Sequence, residues 1–258
     1  MLLALKLLLV PGLVAAVTLG VRRWGPTVGG WLATLPVVAG PVLVFYAIEQ
    51  GDAFAAQAAH ATLTGLIATA AFAVAYARCS IRWPWYGSVV AGWTAYGAAV
   101  FVLYGLQPAL IPSLGLLVVA AVLGRRSLPR LAAATEAATR SHGDLAIRLV
   151  ATATLVLVLT GLAERLGPTL SGMLNAFPVL TTIVAAFTHA QRGRHGAVAF
   201  LNGFFRAIVG FALFCVVMAL ALVPQGLLVA LAAALAVQLA AHGVLLWSSS
   251  RCTPAAAS

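Results

Sequence analysis

Acidic side chains are scarce in this chain of 258 residues, which has only five Asp and Glu residues. All five lie in loops or at the ends of apolar runs: Glu49, Asp52, Glu136, Asp144 and Glu164. Without a carboxylate inside an apolar run, a cation site or a proton relay built on buried carboxylates is excluded. Sodium bound by freed backbone carbonyls is not excluded, but proton or sodium coupling has little support from the sequence.

The chain also lacks the patterns that metal sites and enzymes use. Its three cysteines, Cys79, Cys215 and Cys252, are isolated and have no metal-binding or redox spacing. There is no HExxH motif, no pair of acids and no Ser/His arrangement suited to catalysis. We therefore expect no enzyme activity, no metal and no cofactor.

Charged residues make up 8% of the chain, whereas 63% is hydrophobic and the mean hydropathy is +1.06. A soluble domain is about half apolar and a quarter charged, so this composition predicts an all-α integral membrane protein. The net charge of +10 would suggest nucleic acid as the partner of a soluble chain. Here the arginines lie between runs long enough to cross a bilayer, so the lipid bilayer, and not nucleic acid, is the expected partner.

Apolar runs of membrane-spanning length predict eight helices. These runs are residues 2–20, 29–48, 55–77, 84–105, 145–162, 171–190, 197–222 and 226–247. A further run, 108–123, is short and rich in proline at its start. If it crosses, twelve of the 15 cations lie on one side of the membrane, and if it does not, they divide five against nine. The positive-inside rule therefore favours nine helices, with the N-terminus outside and the C-terminus in the cytoplasm.

Two stretches, GPTVGGWLATLPVV from Gly25 and GPTLSGMLNAFPVL from Gly167, share a spacing of Gly, Pro and Thr. We call the separation between Gly25 and Gly167 the repeat offset. The predicted units are a first four-helix repeat, a linking helix with a linker, a second four-helix repeat and a tail, at residues 1–106, 107–144, 145–250 and 251–258.

The fifth helix, between the repeats, makes them enter the membrane in opposite directions. Their equivalent loops EQGDAF and QRGRHG carry opposite charge, which agrees with this orientation. Inverted repeats are a common plan of secondary transporters. The alternative is a duplication that only builds a stable bundle or a channel.

Both repeats carry a proline inside an apolar run, Pro36 and Pro178, six residues after Gly30 and Gly172. Proline removes a backbone hydrogen bond, and a carbonyl freed inside a membrane must be satisfied by protein or face a cavity. We expect helix breaks at these matching positions, formed by Pro36, Pro178, Gly30 and Gly172, and such breaks predict a transporter site. The alternative is an ordinary proline kink that only shapes packing.

Arg206 lies inside a predicted span, about 18 Å along the helix from Arg194. An arginine at that depth costs at least about 2.5 kcal/mol, so its presence favours an anion-binding role, with Asn202 one turn earlier as a hydrogen-bonding neighbour. The alternative is a structural arginine that snorkels or pairs with carbonyls.

His60 and Thr64 are the counterparts of Asn202 and Arg206 at the repeat offset. If the repeats are related by symmetry, we expect all four to face one central site. Polar residues near the breaks are expected to line the same site: Thr34, Asn175, Thr181 and Thr182. The alternatives are a structural interhelical bond for His60 and bonds to the helix backbone for the threonines.

The segment GMLNAFPVLTTIVAAFTHAQRGRHGA, and to a lesser degree GWLATLPVVAGPVLVFYAIEQGDAF, resembles the core of the GlpM-like family of small bacterial inner-membrane proteins. The shared pattern is a Gly, a Phe-Pro six residues later and a Gly-containing polar loop after the span; Phe177 fits it, whereas Leu35 departs from it. Members of that family are single four-helix units. The resemblance therefore implies a fused, inverted pair in a bacterial inner membrane, with an indirect link to envelope or exopolysaccharide physiology.

These features predict an inner-membrane transporter that moves a small, anionic solute by alternating access between the repeats. The preference for an anion depends on one buried cation, the lack of buried acids and helix N-termini that face the site. Two alternatives stay open: a passive channel on the same scaffold, and a non-transporting scaffold or accessory protein of envelope physiology. Association into a homo-oligomer is also left open.

Overall fold

A computed structural model of the chain describes Leu19 and residues 23–36, 39–131 and 167–251, with side chains as far as Leu245. The regular secondary structure in these ranges is helical, which confirms the all-α prediction. In chain order the helices are α1 (Pro26–Leu32), α2 (Ala39–Gln50), α3 (Asp52–Cys79), α4 (Trp85–Leu106), α5 (Leu110–Arg126), α6 (Gly167–Asn175), α7 (Val179–Gln225) and α8 (Leu227–Arg251).

Four stretches of the described chain are long and apolar enough to cross a membrane: Asp52–Cys79, Trp85–Leu106, Gly167–Gln225 and Leu227–Leu245. This agrees with the prediction of a membrane protein. The predicted spans 2–20 and 145–162 lie outside the described residues, so the count of nine helices stays a prediction. Helix α5 has 17 residues and is about 25 Å long, which is shorter than a typical span, and its crossing also stays a prediction.

Glycines with a positive φ angle stand at several helix boundaries. Gly25 precedes α1 with φ of 88°, and Gly167 opens α6 with φ of 72°. Gly51 separates α2 from α3 with φ of 90°, and Gly193 interrupts α7 with φ of 61°. Glycine adopts such angles without the steric cost that a Cβ atom brings. The boundaries therefore recur at the repeat offset that relates the two sequence stretches.

The centre of the core is formed by α3 and by residues 194–225, the second segment of α7. These helices carry several of the largest fully buried side chains, including Phe72, Tyr76, Phe200 and Phe214. The short helix α1 packs on α7, and the short helix α6 packs on α3. Each short helix therefore lies against the long helix from the other half of the chain.

Two glycines allow this close approach. A Cβ atom on Gly30 in α1 would overlap the carbonyl oxygen of Phe200, and one on Gly172 in α6 would overlap the carbonyl oxygen of Ala58. Phe200 is the counterpart of Ala58 at the repeat offset, so the two contacts are equivalent. The prediction that Gly30 and Gly172 belong to the helix breaks is wrong. Both lie inside helices, where the missing side chain lets two backbones meet.

Candidate functional site

The chain leaves the helical conformation at both predicted prolines. Pro36 lies between α1 and α2, and Pro178 lies between α6 and α7. Proline has no backbone N–H group and its ring collides with the preceding turn, so a helix does not continue through it without distortion. Each of the predicted spans 29–48 and 171–190 is therefore a short helix, a break and a second helix.

A cavity of about 90 Å³ lies between the two breaks. Its walls include Leu35 and Ala39 from the first break, Asn175 and Thr181 from the second, and Thr69 from α3. None of the described residues that line it is charged. The polarity of the cavity therefore comes from an amide, from hydroxyl groups and from the exposed ends of helices.

The carbonyl groups at the end of α6 accept hydrogen bonds from side chains of the first half of the chain. The Tyr96 hydroxyl of α4 donates to the Met173 carbonyl oxygen at 2.7 Å, and the Thr69 hydroxyl of α3 donates to the Ala176 carbonyl oxygen at 2.7 Å. Carbonyls freed at a break inside a membrane protein need such partners, because no bulk water is available to them.

A side chain from the second half of the chain bonds to a carbonyl at the first break in a similar way. Nε2 of Gln238, in α8, donates to the carbonyl oxygen of Thr34 at 2.9 Å. Gln238 is the counterpart of Tyr96 at the repeat offset. Both breaks are therefore held by a side chain that comes from the fourth helix of the other half.

Three of the residues predicted for the site lie at the breaks. Asn175 connects them, because its Nδ2 atom lies 3.4 Å from the Ala39 carbonyl oxygen at the start of α2. Thr181 lines the cavity at the start of α7. Thr34 is fully buried, and its hydroxyl donates to the Trp31 carbonyl oxygen at 2.8 Å.

Thr182, the fourth residue predicted near the breaks, has a different contact. Its hydroxyl oxygen accepts a hydrogen bond from Trp93 Nε1 at 3.2 Å. Thr182 therefore ties α7 to α4.

His60 and Thr64 lie away from this cavity, at the start of α5. Nε2 of His60 donates to the Pro108 carbonyl oxygen at 3.0 Å, and the Thr64 hydroxyl lies 3.2 Å from that of Ser113. These are interhelical hydrogen bonds between α3 and the entry to α5. These contacts agree with the alternative interpretation, in which His60 forms a structural interhelical hydrogen bond.

Asn202 and Arg206 lie at the opposite end of α5. Nε of Arg125 donates to Asn202 Oδ1 at 3.2 Å, and the side chain of Arg206 is exposed beside Arg125. Partial desolvation, and then the positive charge of Arg206, lower the pKa of Arg125. Arg125 of α5 and Arg206 of α7 are therefore two exposed cations that lie near each other at this end of α5.

The prediction of one central site that contains His60, Thr64, Asn202 and Arg206 is wrong. Along α5, Leu110 and Arg125 are about 22 Å apart, and one pair lies at each end. The two pairs therefore have no common site.

Packing of α7 explains why Arg206 is not central. Gly203 lies against the Thr27 backbone, so the face of α7 that carries this glycine packs on α1. Arg206 lies on a neighbouring face of the helix and its charge points outward.

Sequence reasoning missed two buried polar residues in α8. Gln238 is 1% exposed and His242 is 6% exposed. Nδ1 of His242 donates to the Gln238 carbonyl oxygen at 2.9 Å, and its Nε2 lies 3.2 Å from the Thr34 hydroxyl. The signal was available in the sequence, because a Gln and a His four residues apart share one face of an otherwise apolar run.

No family model, no curated protein and no solved structure matches this chain in the comparisons. The resemblance to the GlpM-like family therefore stays a prediction. In the part of the chain that the structure describes, no group of three or more His, Cys, Asp and Glu side chains is placed to hold a metal ion.

Proposed function

We propose that the protein is a transporter whose solute site is the cavity between the two helix breaks. The observation that carries the proposal is this cavity at the meeting point of two breaks that occur at equivalent positions of the chain. In transporters built from repeats, discontinuous helices supply exposed backbone groups to a site between the repeats. An ordinary pair of proline kinks needs no cavity between them.

The two halves are, in this proposal, inverted repeats that move relative to each other. Two reciprocal contacts support this relation: Gly30 meets Phe200, and Gly172 meets Ala58. Contacts that exchange partners in this way are expected from a two-fold axis. The axis lies in the membrane plane if the two halves cross in opposite directions, as the distribution of cations favours. The proposal also includes nine membrane-spanning helices in a bacterial inner membrane, with the N-terminus outside and the C-terminus in the cytoplasm.

The proposed solute is small and anionic, but the reason for the charge preference changes. Arg206 is outside the cavity, so it does not bind the solute. Support comes instead from the starts of α2 and α7, because Ala39, Val179 and Thr181 all line the cavity. The start of a helix carries a partial positive charge, which favours anions. A small carboxylate fits this charge and the limited volume.

Uptake into proteoliposomes tests the proposal. Purified full-length protein is reconstituted, and uptake of labelled formate, acetate and lactate is compared with that of glycerol and of a small amine. We expect saturable uptake of at least one carboxylate, and counterflow when the same carboxylate is loaded inside. Flux that neither saturates nor shows counterflow would favour the channel. Absence of flux for every anion would contradict transport of a small anion.

Thr181→Val supplies a matched test of the cavity, because valine keeps the shape of threonine and removes the hydroxyl. We expect KM for the transported carboxylate to rise by about fivefold, the effect of one lost hydrogen bond. Thr94→Val is the control, because Thr94 is exposed and its hydroxyl bonds to the Val90 carbonyl of its own helix. An equal effect of both substitutions would contradict the assignment of the cavity.

A further inference from the structure

Helix α8 carries a buried histidine that the proposed solute site does not use. His242 lies one helical turn after Gln238, and both are almost fully buried inside an apolar run. An ionisable side chain inside a membrane helix costs free energy, so its presence suggests a function. Histidine is also the side chain whose charge changes most readily near neutral pH.

The hydrogen bonds around His242 fix the position of one hydrogen. Nδ1 lies 2.9 Å from the carbonyl oxygen of Gln238. A carbonyl oxygen only accepts, so Nδ1 carries a hydrogen whether the ring is neutral or charged. A neutral ring therefore has its lone pair on Nε2, and a protonated ring has a second N–H group there.

On the Nε2 side of the ring, the number of available hydrogens differs between the neutral and the protonated state. Nε2 lies 3.2 Å from the Thr34 hydroxyl oxygen, and that hydroxyl lies 2.8 Å from the Trp31 carbonyl oxygen. Beside a neutral ring, Nε2 and the Trp31 carbonyl compete for the single hydroxyl hydrogen of Thr34. Beside a protonated ring, Nε2–H donates to Thr34 and Thr34 donates to Trp31. The hydrogen bonds at Gln238, Thr34 and Trp31 all form together only in the protonated state.

Oε1 of Gln238 is buried and, among the described residues, has no hydrogen-bond partner. An orphaned buried acceptor is rare and calls for a physical explanation. A positive charge one turn away supplies one, because it stabilises the uncompensated negative end of the amide.

The groups of neighbouring elements for which the described structure gives a close contact with the ring are neither titratable nor charged. Gly210 of α7 lies against it, and Trp31 and Thr34 approach from the end of α1, with the Trp31 ring centred 5.4 Å away. On α7, Arg206 is one turn before Gly210, but its exposed side chain lies beside Arg125.

We infer that His242 is a proton-binding site that is linked through Thr34 to the wall of the solute cavity. A proton from water adds to the lone pair of Nε2, the positive charge stays on the ring, and the new Nε2–H donates to the Thr34 hydroxyl, which donates to the Trp31 carbonyl. Thr34 stands between Ala33 and Leu35, which both line the cavity. The role of this proton in coupling rests on the proposed transport function, whereas its binding does not.

Nitrogen NMR of the histidine rings tests proton binding without any solute. The full-length protein is labelled at histidine and reconstituted in nanodiscs, and His242→Gln identifies the signal of His242. We expect this signal to titrate. Thr34→Val, which removes the acceptor for Nε2–H, should lower the proton affinity about tenfold, a shift of about one pH unit. Thr34→Ser should restore the midpoint, and His60→Gln should leave it unchanged.

A ring that stays neutral from acidic to alkaline pH would overturn the inference. The inference would also be overturned if the midpoint of the His242 titration were the same in Thr34→Val, Thr34→Ser and the wild type. Gel filtration must show that both variants are folded. Restoration by serine guards against a misfolded valine variant, because it tests the hydroxyl and not the residue as a whole.

Transport measurements separate this inference from the proposed function. In proteoliposomes, His242→Gln should abolish the acceleration of uptake by a proton gradient while counterflow of the solute persists. If His242 titrates but the protein transports no solute, the proton site is supported and the proposed function is refuted. Transport by a protein in which His242 does not titrate would refute the proton site alone. Proton-driven uptake that survives in His242→Gln would refute the coupling.

Discussion

Tyr96 and Gln238 occupy equivalent positions in the two halves of the chain, and each donates a hydrogen bond to a backbone carbonyl in the broken helix of the other half. The Tyr96 hydroxyl binds the carbonyl of Met173, and the Gln238 amide binds the carbonyl of Thr34. Different side chains therefore perform the same task at equivalent positions. Divergence of the two side chains explains why the sequence alone did not show this relation.

The close contacts of the two short helices predict a pair of sensitive glycines. Gly30→Ala and Gly172→Ala should each destabilise the protein by about 1–3 kcal/mol, because the added Cβ meets backbone that has little freedom to move. Thermal unfolding in detergent, followed by gel filtration, measures the effect. Gly97→Ala is the control, since no atom lies within 4 Å of the position that its Cβ would take. Equal melting temperatures for all three variants would contradict the packing.

Gly51 should be sensitive for a different reason. A Cβ atom there has open space around it, but φ is 90°, an angle that residues with side chains rarely adopt. Gly51→Ala should therefore cost about 1–2 kcal/mol through backbone strain alone. Gly105→Ala, in α4, has the same open space without the positive φ and should be neutral. The comparison of the two melting temperatures isolates the strain, and no difference between them would argue against this helix boundary.

The bond from Tyr96 to α6 should contribute measurably to stability. Tyr96→Phe keeps the ring and leaves the Met173 carbonyl without this donor, so we expect a loss of about 1 kcal/mol. Tyr86→Phe serves as the control, because Tyr86 is 61% exposed. Denaturation of the two variants in the same detergent measures the difference. A Tyr96→Phe variant as stable as the control would show that the end of α6 is held by other contacts.

Arg206 should be dispensable for transport. Its exposed side chain lies beside Arg125 and outside the cavity, so Arg206→Gln should change uptake of the carboxylate by less than about twofold. Initial uptake rates in proteoliposomes, corrected for the amount of inserted protein, check this. If uptake were lost while the amount of inserted protein stayed the same, Arg206 would take part in transport. That result would contradict the proposed cavity site.

The sequence predicted the breaks well and the site poorly, and the physical reasons differ. A proline in an apolar run acts locally, so the interruptions at Pro36 and Pro178 follow from the residues themselves. Which face of a long helix turns inward depends on the elements that pack against it. His60 of α3 and Arg206 of α7 lie near opposite ends of α5 because of the way α5 packs against these two helices. No local sequence pattern predicts this packing. His242 was identifiable as a polar residue in an apolar run, but its contact with Thr34 was not.

Opposite orientation of the two halves is the claim on which the transport proposal most depends. Asp52 and Arg194 occupy equivalent positions, each directly after a glycine with positive φ. We would place a single Cys at each position, in a chain without its three native cysteines, and label intact cells from outside with an impermeant thiol reagent. We predict labelling at position 52 and none at position 194 in intact cells, with labelling of both in opened cells. Labelling at both positions in intact cells would contradict it.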